Sequence, residues 1–204
     1  MSDQREAILE RVRKALAVLP ERAPLPEWDM DLSVSHRIVD GREPLELLTE
    51  RVKSTNATLL TDAAELVRRL KEGGWLRGYC DPALLGQVAP FFGPEFSLKT
   101  EYDRTRVDDY DFGITRAAGA IAESGSIILN DRTTSRRLGA LAPWVHIAVL
   151  ARAQIYLTVG EAVLAMGDDP NVIWVTGPSK TSDIEGILIE GVHGPGVQFA
   201  LVMG

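Results

Sequence analysis

Apolar positions recur at three- and four-residue steps near the start of the chain. Ile8, Leu9, Val12, Leu16 and Leu19 predict an amphipathic helix over residues 2–18, capped by Ser2 and stopped by Pro20. Residues 20–30, PERAPLPEWDM, hold three prolines and predict an extended arm. A second helix is predicted over 43–54, EPLELLTERVKS, with Pro44 in its first turn. ATLL at 57–60 reads as a strand, and Thr61 or Asp62 then caps the helix AAELVRRLKE, which ends at Gly73 and Gly74. WLRGYC is the next strand, and Asp81 with Pro82 starts a short helix, DPALLGQVA. Strand and helix alternate, which is the pattern of an α/β sheet.

The second half is denser in strands. AIAE and SIIL flank Ser124-Gly125, and HIAVL (146–150), IYLTV (155–159), VIWVT (172–176) and QFALVM (198–203) follow. These continuous apolar runs suit strands covered on both faces. EAVLAM (161–166) reads as a helix between two of them. Residues 93–111 lack periodicity and read as a solvated connection; Glu101, Asp103, Asp108, Asp109 and Asp111 fit no calcium loop. The pattern predicts an α/β fold with a mostly parallel central sheet and flanking helices. It divides the chain into a helical and Pro-rich arm, 1–40, and an α/β domain, 41–204.

Composition narrows the function classes. The chain has 204 residues, 45% of them hydrophobic, enough to bury a full core. A formal net charge of −7 argues against nucleic-acid binding, which calls for a basic face. No apolar run approaches membrane-spanning length, and MSDQREAILERVRKAL is too charged for a signal peptide, so a cytoplasmic location is expected. Cys80 is the one cysteine; it can form no intramolecular disulfide and cannot hold an iron–sulfur cluster. In GYCDPAL only Asp81 lies near it, so Cys80 reads as a small buried hydrophobe at a strand end. The three histidines are too scattered to predict a zinc site, and no metal or other cofactor is expected in this chain.

Three constellations can carry chemistry. In GITRAAGAIAESGSIIL, residues 113–129, the Ser124-Gly125 turn holds Glu123 at a strand end after an Ala-rich approach. Glu123 is either a partly desolvated nucleophile or base, or a carboxylate accepting turn amides or pairing with Arg116. In GPSKTSDIEG, residues 177–186, Ser179, Thr181 and Ser182 are capable helix N-caps, with Asp183 and Glu185 in the first turn. That segment is either simply a capped helix or an anion site built from its amides, hydroxyls and Lys180. In GVHGPGV, residues 191–197, glycines flank His193, either to bring backbone close to a ligand or only to turn the chain. His146 opens an apolar run and is read as satisfying local backbone groups, and His36 has no evident partner.

ITRAAGAIAESGSIIL, LAPWVHIAVL and TGPSKTSDIEGILIEGVHGPGVQFALVM together resemble the lactate utilization protein C family, the LUD-domain proteins. The resemblance covers most of residues 112–204. It implies a fold of the type shared by glucosamine-6-phosphate isomerases, ribose-5-phosphate isomerases and CoA transferases. It also implies a role in oxidising L-lactate to pyruvate as the non-iron–sulfur subunit beside iron–sulfur partner proteins, and a small anionic ligand. The residues it puts at the site are Glu123, Ser124 and Gly125; Ser179, Lys180, Thr181, Asp183 and Glu185; and His193. Arg116 and Gly194 flank them as candidate ligand contacts, with Glu123 and His193 the candidate catalytic groups. AESG is similar to the Glu-containing turn of CoA transferases, whose Glu forms a thioester with CoA, although Ser124 stands where those enzymes usually carry Asn. Three functions therefore compete: a subunit of a lactate-oxidising assembly, a CoA-transferase-like or sugar-phosphate enzyme using Glu123, and a regulatory module binding a small anion.

Overall fold

The computed structural model describes residues 2–18, 41–134, 137–169, 171–182 and 188–204. The Pro-rich arm, His36, Asp183 and Glu185 lie outside them. The chain divides into two units, Met1–Ser33 and Val34–Gly204. Within the first, helix α1 (Ser2–Ala17) carries Ile8, Val12 and Leu16 exposed at four-residue steps, the predicted apolar stripe.

The second unit is an α/β fold. In chain order it begins with α2 (Pro44–Ser54), β1 (Thr58–Leu60), α3 (Ala63–Glu72), β2 (Arg77–Cys80), α4 (Leu85–Val88) and β3 (Ser97–Lys99). There follow β4 (Phe112–Arg116), β5 (Gly119–Ile121), β6 (Ser126–Asn130), α5 (Arg137–Leu141), β7 (Val145–Ala151) and β8 (Ile155–Tyr156). The unit ends with α6 (Val159–Met166), β9 (Val172–Val175), β10 (Lys180–Ser182), β11 (Leu188–Glu190) and β12 (Val197–Met203). Local chemistry accounts for the helix starts. The Glu43 carboxylate accepts the Glu46 amide at the start of α2, and Asp62 accepts the Ala64 amide at the start of α3. At α6, Thr158 accepts the Glu161 amide while the Glu161 carboxylate accepts the amide of Leu157. That reciprocal pair starts the helix at Val159 and cuts the predicted strand 155–159 to two residues.

Six parallel strands form the central sheet in the order β1-β12-β7-β4-β2-β3. A second, mixed sheet of four strands, β8-β5-β6-β9, was not anticipated from the hydrophobic pattern. It covers one face of the central sheet. There Ala148, Leu150, Ala200 and Val202 pack with Ala120, Ile127 and Leu129 and with Leu47, Leu48 and Val52 of α2. On the opposite face Phe112, Ile114, Ile147, Val149 and Leu201 meet Leu66 and Leu70 of α3, and Leu84 and Val88 at α4. Burial on both faces explains why these strands read as continuous apolar runs.

Two sequence expectations are corrected. The stretch 93–111 is not merely a solvated connection, because β3 adds an edge strand beside β2 and the Tyr110 ring stacks 4.7 Å from Tyr102. The start of GPSKTSDIEG is not a helix: Lys180, Thr181 and Ser182 pair antiparallel with Glu190, Ile189 and Leu188. Ser and Thr serve equally as helix caps and as strand residues, and here the nearby strand Leu188–Glu190 supplied the deciding hydrogen bonds. No helix among the described residues is long and apolar enough to cross a membrane.

Candidate functional site

The strands β4, β7 and β12 start level with one another, since Val145 lies opposite both Phe112 and Val197. One residue in, Gly113, His146 and Gln198 form a row across the sheet, on the face toward the second sheet. His146 and Gln198 of this row, with Thr115 two residues beyond Gly113, are polar on a face otherwise packed with Ala, Leu and Val. His146 is wholly buried and Gln198 is 3% exposed. His146 Nε2 lies 3.0 Å from the hydroxyl of Thr115, itself fully buried. The other ring nitrogen, Nδ1, and the Gln198 side-chain oxygen have no hydrogen-bond partner among the described residues. His146 therefore does not satisfy local backbone groups as its sequence context suggested. Burial pushes its imidazole down to about 4, so the ring is neutral near pH 7. Room for the row comes from Gly113, where an added Cβ would sit 1.7 Å from the Gly139 carbonyl oxygen.

His146 and Gln198 line a cavity of about 310 Å³, at the low end for a small-molecule site. Ala140, Leu141, Ile173, Val175 and Pro195 supply apolar wall. Thr176, Ser179, His193 and Gly194 bring the polar loop residues to the same cavity. Two backbone hydrogen bonds stitch these loops together: the Ser179 amide donates to Pro195, and the Gly191 amide donates to Ser179. Ser179, His193 and Gly194, three of the candidate site residues, thus meet at one cavity. The glycines of GVHGPGV have a structural task, however. A Cβ on Gly191 or Gly196 would come within 2.3 Å of the Trp144 ring, so the loop folds around an indole.

The other predicted residues lie elsewhere. The Glu123 carboxylate accepts the amide of Val159, the first residue of α6, and its own amide donates to Leu157 at 3.1 Å. It does not pair with Arg116, and its place is that of a carboxylate at a helix N-terminus. Ser124 continues into a chain of hydroxyls, 2.8 Å to Ser126 and from there 2.7 Å to Thr176. Gly125 abuts the backbone of Arg51 and Val52. Lys180 donates to the Thr55 carbonyl at 3.2 Å and lies 3.7 Å from Glu190, and Thr181 is a strand residue opposite Ile189. With these partners, Lys180 braces the β10–β11 hairpin against the end of α2.

Arg116 stands at the carboxyl end of β4, at the opposite edge of the sheet from the His146 row. Its Nε donates to the buried Asp81 at 2.9 Å. It lines a separate cavity of about 250 Å³ with Gln87, Thr133, Gln154 and Met203. The thiol of the buried Cys80, beside Asp81, is pushed up to about 12, first by burial and then by the Asp81 charge. As read from the sequence, it is a buried side chain at the end of a strand. The sequence reading missed His146, Gln198 and Thr115. The available signal was a polar residue at a core-facing position in each of three apolar strands.

Comparison with known proteins places this architecture. The family model of the LUD domain matches residues 45–202, nearly all of the second unit. The chain belongs to the LUD domain family. A lactate utilization protein C from Exiguobacterium sp. is 39% identical over 213 residues, covering 94% of this chain and 92% of that protein. Its namesake from Deinococcus radiodurans is 41% identical over 103 residues, and the match spans about half the length of each protein, 48% and 49%. A crystal structure of a DUF162 family protein from D. radiodurans superposes with a TM-score of 0.59 at 30% identity, covering 79% of this chain and 96% of that one. Thr115, His146, Ser179, His193 and Gln198 all fall within the matched LUD domain.

Proposed function

We propose that this LUD protein is a subunit of a lactate utilization system, acting in the cytoplasm beside iron–sulfur proteins that oxidise L-lactate to pyruvate. The observation that carries this reading is the 39% identity to a lactate utilization protein C across 94% of the chain. The cysteine count supports the division of labour. One buried thiol is too few for a Cys-ligated cluster, which is consistent with clusters residing in partner proteins. The His146 cavity supports a small ligand in this subunit. The relation to isomerases and CoA transferases is part of the same proposal at the level of fold, and Glu123 gives it little chemical support, because its carboxylate is engaged by the Val159 amide.

Deletion of the gene in a lactate-growing host tests the role. Growth on lactate should fail while growth on glucose continues, and the intact gene should restore it. Co-expression with the candidate iron–sulfur proteins should yield a complex that co-purifies. Undisturbed growth on lactate together with no complex would remove the proposal.

A further inference from the structure

We infer that the cavity under the 191–195 loop binds a small 2-hydroxy acid, with its alcohol oxygen seated between His146 and Gln198. The inference rests on the lactate reading only for the choice of lactate among such acids. A buried polar atom without a partner costs about 1–3 kcal/mol, and native proteins leave few of them. Here two stand on adjacent strands in register, and both of their residues line one cavity. A neutral imidazole has one N–H and one bare nitrogen. In the tautomer proposed here Nε2 accepts from the Thr115 hydroxyl, 3.0 Å away, and Nδ1 carries the hydrogen as a donor. The Gln198 oxygen is an acceptor. One alcohol group satisfies both, accepting from His146 Nδ1 and donating to Gln198.

Both orphan atoms are covered on the cavity side as well as from bulk water, so the alcohol is seated only when the Gln198 amide turns about its last torsion, which is broad, and uncovers His146 Nδ1. The rest of the wall selects for size and shape. Ile173, Val175, Leu141 and Pro195 suit a short alkyl group, and the volume of about 310 Å³ admits only a small molecule. Ser179 and His193 supply donors for the carboxylate end. Propionate has no oxygen on the second carbon to meet either group, so the pair favours an acid that carries one there.

The test titrates the full chain with L-lactate, D-lactate, pyruvate and propionate, reading thermal shift and calorimetric heat. Lactate of one hand should bind at least tenfold more tightly than propionate. Gln198→Leu should keep the fold, since it removes an unpaired atom, and should weaken lactate binding at least tenfold. In the wild-type protein, ¹⁵N spectra of the imidazoles should show His146 as the Nδ1–H tautomer, with its signal moving on lactate addition. Equal binding of lactate and propionate, no binding of either lactate, or unchanged affinity in folded Gln198→Leu overturns the inference. The growth test fails separately. Lactate binding without a growth defect upholds the pocket and removes the pathway role, whereas a growth defect without binding leaves the role and overturns the pocket.

Discussion

Acidification should destabilise this protein through His146. Its imidazole is fully buried, and burial lowers its pKa from 6.5 to about 4. Because the folded value is depressed, the unfolded chain takes up the proton first as pH falls. Stability is therefore lost between about pH 6.5 and pH 4, and below that both states are protonated and the loss stops. A gap of about 2.5 pH units at about 1.4 kcal/mol each amounts to roughly 3 kcal/mol. About 2 kcal/mol of that disappears between pH 7 and pH 5. This is a large share of a typical domain stability of about 5–15 kcal/mol. The paired carboxylates Glu43, Glu50, Glu65, Glu95 and Asp168 have lowered values, so their contributions vanish only below their ordinary range, near pH 4. Urea unfolding followed by tryptophan fluorescence at pH 7, 6 and 5 measures the slope. His146→Gln, which keeps a polar group near Thr115, should flatten it. An unchanged stability from pH 7 to pH 5 in the wild type, or the same slope in His146→Gln, would refute the reasoning.

Three further outcomes are expected. Gly113→Ala forces a Cβ to within 1.7 Å of the Gly139 carbonyl oxygen, so α5 must move. The loss, read from urea midpoints, should reach the upper end of about 1–3 kcal/mol or exceed it. Glu123→Gln keeps an acceptor for the Val159 amide but removes the charge at the start of α6, costing about 0.3–1 kcal/mol in the same assay. Intact-mass analysis after acyl-CoA treatment should show no adduct on wild-type Glu123, and an adduct there would contradict its role as a helix cap. Cys80, buried and with its thiol pushed up to about 12, should resist a thiol reagent at pH 8 and react only in denaturant. Rapid labelling of the folded protein would show that the strand end around Cys80 opens.

The architecture was largely legible before the structure. Helix periodicity and caps placed α2 and α3, and the apolar runs placed β7 and β12 as strands covered on both faces, whereas β4 was not read as a strand. Those signals are local and repeat along the chain. The hairpin β10–β11 escaped because Ser and Thr in GPSKTS suit a cap or a strand, and the choice rested on Leu188–Glu190. The site was half legible. Ser179, His193 and Gly194 do share a cavity, because Gly and Pro marked the loops that line it. Arg116 and Glu123 were grouped with them through the family resemblance, yet Arg116 lies at the carboxyl end of β4, away from the His146 row, and Glu123 caps α6.

By itself, the sequence determined the α/β class and the loops worth attention. These follow from periodicity, composition and turn chemistry, which act over a few residues. Only the tertiary structure decided that His146, Gln198 and Thr115 come together and that two polar atoms are left unpaired beside a cavity. Those residues lie on three strands widely separated in the chain. Parallel pairing sets their register, and sheet-on-sheet burial removes the water that would otherwise have satisfied them.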